Sequence, residues 1–312
     1  MQRKKILYLT DLNYQAKGRV YSEEDIYITG KLKEIFVKLQ TEVTIRGLSP
    51  GTYYTYKRAI DLFLNWADKP FEELEEMDFR NYLLFLINRG NLTTATINSY
   101  NAAIRFFLQV ILEKDVNYRR TARLRKEYKL PPVWSVEEVT NFFSVIDNVR
   151  DRAIFINIYG SGLRISEICT LKVQDVDSKN MRLMIRQSKG RKDRYTIMSQ
   201  SGLDALRAYW KQYRPVSPEG YLFPGNTKEG HLGKSGIEIA FRKYLSRTDI
   251  TTPGTVHTLR HCFATHALEA GTDILYIKEL LGHSCFETTN VYLHIANTKV
   301  FKTSSPADNL IL

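Results

Sequence analysis

The chain has 312 residues, of which 43% are hydrophobic and 25% charged, and it carries a formal net charge of +11. This is the composition of an ordinary soluble globular protein, long enough for two domains with separate cores. The excess of positive charge points to a polyanionic partner, and the longest apolar stretches, such as residues 81–88, fall far short of the roughly 18 residues of a membrane span.

Residues 1–21 show no sustained periodicity and read as an extended lead-in. Their basic start precedes Ile6-Leu7-Tyr8-Leu9, which is too short for a signal-peptide core, so a cytoplasmic location with no membrane partner is expected. Over residues 23–46 apolar positions recur with helical spacing at Ile28, Leu32, Ile35, Phe36 and Leu39. Ser49-Pro50 reads as a cap and first-turn proline for a second helix carrying Tyr56, Ile60, Phe63 and Leu64. A third helix is expected over residues 78–88 and a fourth over 94–112. Short links between them make a small helical bundle. Residues 119–130 hold Arg119, Arg120, Arg123, Arg125, Lys126 and Lys129 against one acid and run into Pro131-Pro132, which reads as a basic linker. Beyond it, Ser135 caps another helix, residues 152–159 are helical, and residues 181–187 and 195–198 read as two short strands around the turn 188–194. The remainder is helical. The fold class expected is mainly α with a small antiparallel β-sheet.

Three segments carry chemistry. Gly160-Ser-Gly162-Leu-Arg164 leads into a helix with Glu167, placing an arginine near backbone amides that favour anions, with a carboxylate one turn on to hold it. His257 and Arg260 are three apart and share one helix face, while Leu259 and Phe263 face a core. Gly282 terminates a helix over residues 272–281, Ser284-x-x-Glu287 has the pattern of a capping box opening the next one, and Tyr292 lies two turns into it. His283 stands at the joint. Two arginines can clamp the oxygens of a phosphate, histidines add donors and proton traffic, and a phenol can attack phosphorus when cations stabilise its oxyanion. Lys189, in the turn between the strands, could protonate a leaving oxygen.

Taken together, Arg164, Lys189, His257-x-x-Arg260, Leu-Gly-His283 and Tyr292 resemble the tyrosine recombinase, or phage integrase, family over residues 30–305. The resemblance implies an N-terminal extension (1–29), a SAM-like helical core DNA-binding domain (30–118), the basic linker (119–130), and a mixed α/β catalytic domain with a C-terminal tail (131–312). It implies that Tyr292 attacks the scissile phosphate, leaving a 3′-phosphotyrosyl bond and a free 5′ hydroxyl. Arg164 and Arg260 would bind phosphate oxygens and Lys189 would be the general acid, with Lys192 as an alternative. His257 would accept or hold the tyrosine's proton, His283 would hydrogen-bond the phosphate, and Glu167 would support the cluster. Strand exchange through a Holliday junction then needs neither metal nor cofactor.

The partners implied are double-stranded DNA recombination sites, bound by a homotetramer across two sites. The C-terminal tail would dock on a neighbouring protomer, and a mobile-element role in integration or excision follows. DNA contacts are expected from Tyr53, Tyr54, Lys57 and Arg58, from Arg119, Arg120, Arg123, Arg125 and Lys126, and from Arg191 and Lys192 in the strand turn. The alternatives are a catalytically inactive DNA-binding regulator and a type IB topoisomerase-like relaxase. Against the first, every catalytic position is filled; against the second, the N-terminal bundle resembles a recombinase. A metal site drawn from His257, His261, His266, His283 and Cys285 lacks an acidic partner of the H-E-x-x-H kind, so His261 and His266 are read as structural. Gly233-Lys234-Ser235 lacks the glycine that a phosphate-binding loop needs at position 228. Cys169, Cys262 and Cys285 form no C-x-x-C pair and are read as free thiols.

Overall fold

A computed structural model describes residues 23–117, 119–125, 130–186, 193–283 and 285–296, with side chains from Gly30 onward. Lys126, Lys189, Arg191, Lys192, Ser284 and the expected tail beyond residue 296 lie outside the described residues. The chain divides into two compact units, Met1–Tyr128 and Lys129–Leu312.

The first unit is helical: α1 (Glu23–Ile45), α2 (Pro50–Ala67), α3 (Glu76–Arg89) and α4 (Thr94–Phe106). Helix α1 starts inside the stretch expected to be an N-terminal extension. Ser49 caps α2 by accepting from the Thr52 amide, with Pro50 in the first turn, where a missing N–H costs nothing. The apolar stripes of α1, α2 and α3 meet through Leu32, Leu39, Ile60, Phe63, Leu64, Phe79 and Tyr82. The helix expected to run on to residue 112 widens instead into a π turn at Phe107–Ile111.

The first half of the expected linker is part of this unit. Thr121 is buried, and Asn101 on α4 donates to the Thr121 and Ala122 carbonyls at 3.0 and 3.2 Å. Asn98 clasps Leu124 in both directions, at 3.0 and 2.8 Å. The charge run that reads as a basic linker is therefore pinned to α4 by two asparagines, while Arg119, Arg120, Arg123 and Arg125 stay exposed.

The second unit packs α5 (Val136–Ser144), α6 (Val149–Ser161), α7 (Ile165–Thr170), α8 (Gln200–Tyr213), α9 (Lys234–Leu245), α10 (Val256–Glu269) and α11 (Ile274–Leu281) around one sheet. The sheet has three antiparallel strands in the order β1 (Val176–Asp177), β2 (Arg182–Ile185) and β3 (Arg194–Ile197), one more than the sequence reading gave. Trp134 anchors the core, stacked on Phe241 with ring centroids 5.7 Å apart. Helix α10 is buried on nearly all sides: Leu259 and Cys262 face the main core, and Phe263, Ala264 and Leu268 face a second cluster with α11 and Tyr292. A helix buried this deeply can hold a charged side chain only if other groups satisfy it.

Candidate active site

Arg260 is that charged side chain, with 1% of its surface exposed. One Nη donates to the Gly162 carbonyl at 2.5 Å and the other to the Leu281 carbonyl at 2.7 Å. Both acceptors lie at helix C-termini, α6 and α11, which end in glycines with positive φ, Gly162 and Gly282. Unsatisfied carbonyls and negative dipole ends are what a buried guanidinium requires.

Arg164 caps α7, and Glu167 reaches back to its amide at 2.8 Å and to its guanidinium at 2.8 Å. Arg164 also donates to the Gly282 carbonyl at 3.3 Å. Two arginines 96 positions apart are thus tied to the same joint between α11 and the segment that follows it. Glu167 meets a third arginine as well: Arg194, whose two Nη atoms lie 2.8 and 2.9 Å from the two carboxylate oxygens. Arg260 lies 3.7 Å from the same carboxylate. Burial alone would raise the Glu167 pKa, but the Arg194 hydrogen bonds and the surrounding positive charge hold it down at about 2.

His283 is fixed by two contacts. Its Nε2 lies 3.1 Å from Arg260 Nη2 and its Nδ1 lies 2.9 Å from the Thr289 hydroxyl. A guanidinium only donates, so Nε2 is the acceptor and the neutral ring carries its proton on Nδ1, toward Thr289. Burial and the Arg260 and Arg164 charges push this imidazole down to about 3. His257, in the first turn of α10, is exposed. Its pKa too is lowered, by desolvation and then by Arg260 and Arg164.

Tyr292 is 2% exposed. It does not lie two turns into a long helix: α12 is only Glu287–Asn290, starts at Phe286 without a side-chain cap, and gives way to a 3-10 turn, Val291–His294, that holds the tyrosine. Burial raises the phenol's pKa while Arg260 and Arg164 pull it down. Its ring lies parallel to His283, 6.4 Å centroid to centroid. Its hydroxyl pairs with His261 Nδ1 at 3.0 Å, a residue read from sequence as structural. Three guanidiniums (Arg164, Arg194 and Arg260), three imidazoles and a phenol therefore converge, with one buried carboxylate beneath the guanidiniums.

Residues 134–299 match the model of the phage integrase family, and residues 35–118 match that of the phage integrase N-terminal SAM-like domain. The chain belongs to the phage integrase family. A Sinorhizobium fredii protein named as an integrase/recombinase, y4qK, is 37% identical over 294 residues, covering 94% of both chains. The tyrosine recombinase XerA of Pyrococcus horikoshii is 31% identical over 77% of this chain and 84% of its own. The fold is also that of a XerH site-specific recombinase bound to a difH substrate, with a TM-score of 0.66 at 20% identity over 94% of this chain and 91% of that one. This tyrosine recombinase is a DNA breaking and rejoining enzyme.

Two residues of the recombinase site escape a reading of the sequence. Arg194 opens β3 opposite Ile185, and Leu183 pairs with Thr196, so Arg194 and Thr196 face the interior while Tyr195 and Ile197 are exposed. The apolar alternation of that strand is inverted, and only the phase shared with buried Met198 signals it. Arg194 Nε also donates to the Leu280 carbonyl at 2.9 Å. His261 has no local signal, because its partner lies 31 positions away. His266 is structural, bridging the Tyr159 hydroxyl at 3.0 Å and the Trp134 carbonyl at 2.9 Å.

The expected DNA-contact residues of the first unit are distributed on its surface. Tyr54 and Arg58 are exposed, Tyr53 packs partly on the core, and Lys57 lies over the Phe36 ring at 5.1 Å. Tyr56 packs against Phe106.

Proposed function

We propose that this enzyme is a site-specific recombinase that exchanges DNA strands through a covalent phosphotyrosine. The observation that carries this reading is the convergence of Tyr292 with Arg164 and Arg260, whose guanidiniums rest on the carbonyls that end α6 and α11. The side chains are thereby oriented before any DNA arrives, which is the preorganisation that electrostatic catalysis of phosphoryl transfer requires.

In the proposed reaction Arg164 and Arg260 bind the non-bridging oxygens of the scissile phosphate. The Tyr292 oxygen attacks phosphorus, forming a 3′-phosphotyrosyl bond as the bond to the 5′ oxygen breaks. Lys189 gives that oxygen its proton. His257 accepts or holds the tyrosine's proton at the exposed edge of the site. His283 now accepts from Arg260 at Nε2, so it can donate to phosphate only after taking up a proton, which a bound anion favours. Attack by the 5′ hydroxyl of a second strand reverses the step, and a second round resolves a Holliday junction. The bond energy stays in the phosphodiester, so no energy cofactor enters.

The division of labour follows the family. Residues 30–118 and 131–312 act as core-binding and catalytic domains, and Tyr53, Tyr54, Lys57, Arg58, Arg119, Arg120, Arg123, Arg125, Lys126, Arg191 and Lys192 contact DNA. The working assembly is four protomers on two sites, with the C-terminal tail engaging a neighbour, in integration or excision of a mobile element. The solved neighbours include the Tn1549 transposon integrase in complex with DNA.

The test is a covalent-complex gel with nicked duplex DNA selected for binding by the wild-type chain. Wild type should give a slowly migrating, protease-sensitive adduct and Tyr292→Phe none. An adduct of equal yield from Tyr292→Phe would refute the assignment.

A further inference from the structure

A buried hydroxyl needs a partner, and the partner of Tyr292 is His261, whose Nδ1 lies 3.0 Å from the phenol oxygen. The neighbouring donors of Arg260 are engaged by the Gly162 carbonyl, the Leu281 carbonyl and His283. The ring of His261 is held edge to face against His257, with centroids 4.6 Å apart. Arg260 and His261 are consecutive residues of α10, so the guanidinium that would seat the phosphate and the imidazole that touches the phenol share one peptide unit of a buried helix. No loop intervenes to loosen the distance between them.

We propose that His261 is the positioning residue for the nucleophile: its Nδ1 accepts the Tyr292 hydroxyl and fixes the phenol oxygen relative to the phosphate seat on Arg260. This rests on Tyr292 being the nucleophile and gives a role to a histidine read from the sequence as structural. Burial and the charges of His257 and Arg260 hold the imidazole down at about 4, so at neutral pH the ring is uncharged, and with its one proton on Nε2 it offers the Nδ1 lone pair to the phenol. Accepting the O–H also leaves a lone pair of the phenol oxygen free for phosphorus. An error of one ångström in that oxygen's position lowers the rate of an in-line attack far more than it lowers stability.

The experiment compares His261→Leu, His261→Asn and His261→Gln in the full chain on nicked duplexes selected for binding by the wild type. One set of duplexes carries an ordinary scissile phosphate. The other carries a 5′-bridging sulfur, which leaves without a proton. His261→Leu should slow single-turnover adduct formation about tenfold or more on both substrates, the scale of one lost hydrogen bond to a reacting group, with DNA affinity unchanged. His261→Asn, whose amide reaches the place of Nδ1, should recover most of the rate, and His261→Gln, which reaches toward Nε2, should not.

A wild-type rate in His261→Leu overturns the proposal, as does a defect that disappears with the sulfur leaving group, which would put His261 on the leaving-group side. Where His261→Leu does not fold, equal rates for the Asn and Gln variants overturn it. An adduct from Tyr292→Phe would remove the nucleophile itself and is a separate outcome from all of these.

Discussion

Glu167 sets one negative charge among Arg164, Arg194 and Arg260, and its two oxygens are shared among them. A buried carboxylate in this position is stabilised as the anion, so its folded pKa lies below its ordinary value of 4.5, at about 2. The stability it contributes is complete above pH 4.5 and is lost as the pH falls through about 2. We expect Glu167→Gln to flatten the acid limb of a plot of unfolding free energy against pH in that window, relative to wild type. Arg194→Met strips the carboxylate of its bidentate partner and should lower stability by about 3 kcal/mol, the scale of a broken buried pair, as read from urea unfolding. The structure brings together Arg164, His257, Arg260 and His283, which the sequence marks by residue type and by an order that resembles the family's. Arg194 and His261 are not marked in this way, because their partners Glu167 and Tyr292 are distant in the chain and only the folded packing selects them.

At the level of elements, two helix ends do the positioning. Gly162 closes α6 with φ of +63°, and a Cβ there would lie 2.5 Å from Phe263 and 2.8 Å from Leu281. Gly162→Ala therefore meets both a left-handed backbone penalty and overpacking, and should destabilise by about 2–4 kcal/mol. Its effect on adduct formation should exceed its effect on stability, because the Gly162 carbonyl holds Arg260. A thermal melt set beside the covalent-complex gel checks both. Helices α2 and α5 are readable at their N-termini from Ser49 and Ser135, where a side-chain oxygen meets an amide within the same turn. The π turn after α4 is not readable. Residues 94–112 keep a helical apolar period, and the Ile111 carbonyl at the end of the widened turn accepts from a residue far away in the chain, Lys38, at 3.0 Å. Strand β1, two residues long, carries too little pattern to be seen. Helix α12 starts at Glu287, two residues beyond the start that the pattern over residues 284–287 predicts.

For the whole molecule, the charge of +11 makes association with DNA an exchange of bound counterions for lysine and arginine side chains, so affinity should fall steeply with salt. The exposed arginines held on α4 offer a direct check. Replacing both Arg123 and Arg125 with alanine should reduce the slope of log affinity against log salt by about 2 if each meets a phosphate, measured by titration over a range of potassium chloride. The tie of Arg260 to the Leu281 carbonyl has a further consequence for biosynthesis. Arg164, Glu167, Arg194 and Arg260 emerge from the ribosome before Leu281, His283 and Tyr292, so the guanidinium pair cannot be locked into place until the joint at Gly282 has been made. A nascent or prematurely terminated chain ending short of that joint holds the cations without their final carbonyl and without the phenol. In the order of synthesis, the seat of the buried guanidinium is therefore the last part of the cluster to be completed.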